Sequence, residues 1–285
     1  ILARRFDQSD GTCQGAAISR QDIPGALGGA GLEAGWNLRH VADAQIFLAS
    51  ESGTRDKLSM TLNEKQILSR LKKLGRPEGI AKMAHFGIDT ENAFGVTVPE
   101  IRRLAKEIGR DHALALTLWD TGVYEARMLA SMIEVPALLE RAQADAWAAE
   151  ITSWSLCDQC CSDLFRKTDF ARDLVTRWRH REEEFVKRAA FAMIAVLAVH
   201  DKKADDKIFL AWLPMIEEGA ADPRNFVKKA VNWALRQIGK RNRALNLQAI
   251  ECARRIGAQD SKPARWIASN ALKELTSESV QTRIN

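Results

Sequence analysis

The chain of 285 residues contains no run of eighteen or more apolar residues, so no segment reads as a membrane span. Its opening, Ile1-Leu-Ala-Arg-Arg-Phe6, lacks the apolar core of a secretory signal, and a cytoplasmic address is the expectation. Cysteine is scarce as well. Of five, three crowd at Cys157, Cys160 and Cys161, unlike the spread pairs of a disulfide-stapled domain, so reduced thiols are expected. Cys157-x-x-Cys160 has neither a second CxxC nor paired histidines to complete a four-ligand site, because His40, His85, His112, His180 and His200 are scattered. No metal and no cofactor is expected. No strand leads into the motif, which argues against a thioredoxin-like redox role.

Strand signals are missing throughout. From Glu64 onward the apolar residues recur at helical period, and the separators are short: Gly75-Arg-Pro77, Gly87-Ile-Asp-Thr90, Gly122, Pro136, Asp201-Lys-Lys203, Gly219, Asp222-Pro223 and Gly257. This reads as an all-α domain over residues 60–285, with Thr61 or Asn63 as plausible first caps. Residues 1–59 read differently. Gly25-Ala-Leu-Gly-Gly-Ala-Gly-Leu-Glu-Ala-Gly35 is too glycine-rich for a helix, has no alternation for a strand and does not match a phosphate-loop spacing. A poorly ordered N-terminal extension is expected there.

A hydrophobic share of 46% is enough for a sizeable core. The net charge of +5 is modest but unevenly placed, since residues 221–285 carry thirteen bases against five acids, an excess of +8. The chain also repeats itself: Phe185-Val-Lys-Arg-Ala-Ala-Phe-Ala-Met-Ile194 recurs 41 residues later as Phe226-Val-Lys-Lys-Ala-Val-Asn-Trp-Ala-Leu235. A period of about 40 residues built from helix pairs is that of HEAT-like solenoids, whose stacked repeats form a curved wall. Lys187-Arg188 and Lys228-Lys229 occupy matching places in the two copies. Stacking would line these cations along a concave basic face, a track for a polyanion; solvated outer positions are the alternative.

Candidate chemistry lies in Trp154-Ser-Leu-Cys-Asp158 and Trp233-Ala-Leu-Arg236. In each, an indole and a charged group are three or four residues apart and share a helix face. Tryptophans are commonly core residues, but Asp158 lies in an otherwise apolar segment and an acid there needs a partner. A helix-linking ion pair to Arg188 or Arg236 would satisfy it. A site facing a ligand is the other reading.

Over nearly all of residues 60–285 the chain resembles the AlkD-type DNA alkylation repair glycosylases, built from HEAT-like repeats. Phe94-Gly-Val-Thr-Val-Pro-Glu-Ile-Arg102, Tyr124-Glu-Ala-Arg-Met-Leu-Ala130 and Phe226 to Lys240 carry the resemblance. Ser155-Leu-Cys157 departs from the more polar residues of some members. The resemblance implies that Trp154 and Asp158 are the active-site tryptophan and catalytic aspartate and that Arg188 faces DNA. It also makes Trp233 and Arg236 the second tryptophan and arginine of the cleft. With Lys187, Lys228, Lys229 and Lys240, Arg188 and Arg236 form the expected DNA-binding set.

The implied activity is hydrolysis of the N-glycosidic bond of cationic N3- or N7-alkylated purines in duplex DNA by a monomer, with the base left largely stacked. Such a base already leaves readily, so one carboxylate can suffice where ordinary glycoside hydrolysis uses two. Each indole would favour a cationic nucleotide by about 0.5–2 kcal/mol. The alternative is a HEAT-repeat module that binds DNA structure or a protein without catalysis.

Overall fold

The structure is a computed structural model that describes residues 62–284; the expectation for residues 1–59 and the candidate cap Thr61 lie outside them. Every regular element described is helical. Asn63 starts α1 (Glu64–Leu74) with a reciprocal capping box: its side chain accepts from Gln66 N at 3.0 Å, and Gln66 Oε1 accepts from Asn63 N at 2.9 Å. There follow α2 (Pro77–His85), α3 (Val98–Ile108), α4 (His112–Asp120), α5 (Tyr124–Ile133), α6 (Arg141–Ala149) and α7 (Trp154–Asp163). After a short 3-10 turn at Phe165–Lys167 come α8 (Ala171–Trp178), α9 (Glu184–His200), α10 (Asp206–Gly219), α11 (Asn225–Gly239), α12 (Arg243–Gly257), α13 (Lys262–Leu275) and α14 (Glu278–Ile284).

Alternate helices form two layers. α3, α5, α7, α9, α11 and α13 pack side by side in one, while α4, α8, α10 and α12 back onto it. Because every second helix returns to the same layer, the inner helices run parallel and their N-termini share an edge. The register between neighbours is fixed by paired contacts at equal depth: Cys157 Sγ to Phe185 O and Cys161 Sγ to Ala189 O between α7 and α9, and Phe226 N to Glu184 Oε1 between α11 and α9. The central helix α9 is buried without a break from Arg188 to Ala198, and its alanines let five neighbouring helices approach closely. This is the helical-repeat solenoid expected from the 41-residue period.

The four cysteines described, Cys157, Cys160, Cys161 and Cys252, are buried thiols in these seams. Burial pushes Cys160 and Cys161 well above the ordinary thiol range and Cys252 up to about 12. All four are therefore expected to resist alkylation in the native chain and to react only in denaturant, which mass spectrometry after iodoacetamide treatment checks. No helix among the described residues is long and apolar enough to cross a membrane.

The two earliest motifs prove to be halves of one device. Glu125, fully buried in the first turn of α5, accepts from Phe94 N at 2.9 Å, Gly95 N at 2.7 Å and Val96 N at 3.1 Å. On that braced loop sits α2, backbone against backbone. A Cβ at Gly79 would lie 2.0 Å from Gly95 O, and Gly95 itself holds φ +80 with Arg76 O 2.3 Å from where its Cβ would be. Only glycine fits at either place.

Candidate active site

α7 begins at Trp154 because Ser153 caps it, its hydroxyl accepting from Leu156 N at 3.3 Å. That start puts Trp154 in the first turn and Asp158 one turn further, as the fifth residue of α7. The fifth residue of the neighbouring α9 is Arg188, and the two meet in a bidentate pair, Nη2 to Oδ2 at 2.8 Å and Nε to Oδ1 at 3.1 Å. The remaining arm of the guanidinium reaches the next inner helix, donating from Nη1 to Phe226 O at 2.7 Å. One arginine thus ties α7, α9 and α11 together at the same depth.

The pair is asymmetric. Arg188 keeps 6% of its side chain exposed and Asp158 keeps 24%, so the cation is interior and the carboxylate is the half that reaches solvent. The ion pair raised from the sequence is present, with Arg188 as the partner. Both carboxylate oxygens accept from Arg188, while part of the Asp158 side chain keeps surface. Burial pushes the Asp158 carboxyl above its ordinary value, while the charge and hydrogen bonds of Arg188 pull it back. Arg188, expected to face DNA, spends Nε, Nη1 and Nη2 on Asp158 and Phe226 O inside the wall.

Truncation of Arg188 to alanine would strip a partly buried carboxylate of its counter-charge. Its expected cost is about 3 kcal/mol, at the lower end for a broken interior pair. For a domain of this size that corresponds to a melting point lowered by roughly 6–12 °C, which thermal denaturation measures.

Around this pair the N-terminal edge of the inner layer is aromatic. Trp154 Nε1 donates to Phe86 O at 3.0 Å, just after α2, and the rings of Phe185 and Phe226 lie 5.4 Å apart. Phe86 itself is 49% exposed. Of the tryptophans described, Trp119, Trp147, Trp178 and Trp212 are core, whereas Trp154, Trp233 and Trp266 keep surface. The two indoles singled out from the sequence are therefore among the three that a ligand can reach.

The other expected contacts are distributed differently from the sequence pattern. Trp233 and Arg236 lie on α11, where Arg236 pairs with Glu274 of α13, as does Lys240 at 2.6 Å. Lys187 binds the buried Asp222 at 2.9 Å, beside Arg224. Despite burial, which raises it, hydrogen bonds from Arg224 and Lys187 hold the Asp222 carboxyl far below its ordinary value. Lys228 lies over the Trp266 ring at 4.7 Å, and Lys229 is exposed. The matched cations of the repeat are thus mostly engaged between helices, and of the four only Lys229 projects freely.

Sequence reasoning also passed over Tyr124, whose hydroxyl meets Ser155 Oγ at 2.6 Å beside Trp154; burial raises its pKa to about 12.

The sequence pattern of the DNA alkylation repair enzyme family matches residues 67–275. The chain belongs to that family. A solved structure described as a new family of proteins related to the HEAT-like repeat DNA glycosylases, with affinity for branched DNA structures, is similar at 22% identity and a TM-score of 0.67, covering 78% of this chain and 96% of that one. At that identity the likeness concerns the fold, and it places this member of the DNA alkylation repair enzyme family among the HEAT-like solenoids. A designed armadillo repeat protein bound to a peptide aligns at 15% identity with a TM-score of 0.30. No curated protein matches.

Proposed function

We propose that this DNA alkylation repair protein is a glycosylase that hydrolyses the N-glycosidic bond of cationic N3- and N7-alkylated purines in duplex DNA. The observation that carries this reading is the partly exposed Asp158 carboxylate, held bidentate by the buried Arg188 one helical turn from Trp154. As the bond to the charged base lengthens, positive charge moves onto the sugar. A fixed carboxylate stabilises that charge and orients the water that attacks the anomeric carbon. The departing purine becomes neutral and needs no general acid, so the single Asp158 carboxylate suffices. The Trp154 face offers the cationic nucleotide an electrostatic surface, and an open wall allows attack without a deep base pocket.

A non-catalytic reading keeps some support, since the Asp158–Arg188 pair also ties α7 to α9 and the similar solved structure is described by its affinity for branched DNA. The two separate on one assay. Duplex treated with dimethyl sulfate should release free 7-methylguanine or 3-methyladenine on incubation with the protein. If neither base appears above the spontaneous background while the DNA is bound, the glycosylase reading is wrong.

A further inference from the structure

The edge of the inner layer opposite the aromatic row, where α5, α7, α9 and α11 end, carries a cluster of cations absent from the residues discussed so far. Arg110 reaches the last carbonyls of α5, donating to Met132 O at 2.9 Å and Glu134 O at 2.5 Å. Arg166 donates to Ser162 O at the end of α7, and Lys167 follows it. Lys202 follows α9. Arg241 follows α11 and spans back to Ala198 O at 2.6 Å and Asp201 O at 3.1 Å. Lys202, Lys240, Arg241 and Arg283 line a cavity of about 550 Å³ there.

The carboxylates nearby are already engaged. Asp163 pairs with Arg102 at 3.3 Å, Asp201 with Arg172 at 2.8 Å, and Glu274 with Arg236 and Lys240. Asp206, also in the cavity wall, accepts from Asn242 at 2.8 Å. Among the described residues no ion pair neutralises Arg110, Arg166, Lys167, Lys202, Arg241 or Arg283.

Cations at helix C-termini complement the helix dipole, and the carbonyl bonds of Arg110, Arg166 and Arg241 do that. Lys167 and Lys202 do not: both are exposed, and their ammonium groups donate to nothing among the described residues. The cluster also repels itself: although Lys167 is exposed as a residue, partial desolvation of its ammonium and then Arg110 lower its pKa, Asp163 opposes them and Arg166 adds to them. From Arg110 to Arg241 it crosses three helix spacings, about 27 Å at 8–10 Å each, or roughly eight nucleotide rises along a DNA strand.

We propose that this C-terminal edge is a second DNA-contact surface, on which Arg110, Arg166, Lys167, Lys202 and Arg283 bind the phosphates of a duplex strand, with Arg241, held by interior carbonyls, as a fixed charge beside them. The proposal rests on the chain's place in a DNA repair family, not on the chemistry assigned to Asp158. Its test is equilibrium binding to undamaged duplex as a function of salt, a readout indifferent to whether any base is released. For Lys167→Gln/Lys202→Gln the slope of log affinity against log salt should become shallower by about 1.8, with binding roughly tenfold weaker at moderate salt. The single variants, each touching an exposed and unbonded side chain, should give half the change in slope. Wild-type affinity and slope in the double variant would overturn the proposal, as would an equal loss in Lys72→Gln/Lys73→Gln, which removes the same charge from α1.

Discussion

Glu125→Ala should lower the stability of the domain by about 4 kcal/mol or more, because it leaves three backbone amides without their acceptor at a cost of roughly 1–3 kcal/mol each. Phe94 N, Gly95 N and Val96 N all converge on this one fully buried carboxylate. At 2–4 °C per kcal/mol the melting point should fall by roughly 10 °C, and Glu125→Gln should lie between. The glutamine keeps one acceptor oxygen but turns its NH2 toward an amide donor. The effect should also reach the site, since the braced loop carries α2 and Phe86 after α2 accepts the Trp154 indole. A melting point for Glu125→Ala within about 3 °C of wild type would show that the loop is held by something else.

The sequence made the fold legible because helical period, short separators and a 41-residue repeat all recur over many residues, and each recurrence reinforces the others. Trp154 and Asp158 were legible for a similar reason, since a four-residue spacing on a helix fixes a shared face. What lay across from them was not. The matching Lys187 and Lys228 looked like a common track, but their partners, Asp222 and Trp266, come from separate places in the chain that no spacing along one helix reveals.

Glu125 was missed because an acid in the first turn of a helix reads as a solvated, dipole-favoured residue. A signal did exist: Glu125 is in phase with Leu129 and Ile133 on the buried stripe of α5, where a charge requires donors. The cations of the C-terminal edge stayed hidden for the opposite reason. Arg166, Lys167 and Lys202 fall in the separators between helices, and only stacking brings them to one edge.

Asp158→Asn tests the account most directly, because it removes charge while keeping size and an oxygen that Arg188 can still bond. The buried Arg188 loses its counter-charge, so the melting point should fall by up to the amount expected for Arg188→Ala, but below that temperature the fold and the DNA contacts should survive and affinity for methylated duplex should stay within about twofold. The loss should fall on the chemical step, at about 100-fold or more, the scale on which removal of a single group that stabilises transition-state charge is felt. The measurement is the single-turnover rate of 7-methylguanine release from methylated duplex at saturating protein, wild type beside Asp158→Asn. A drop of that size with binding intact is the predicted result; equal rates would contradict the role assigned to Asp158.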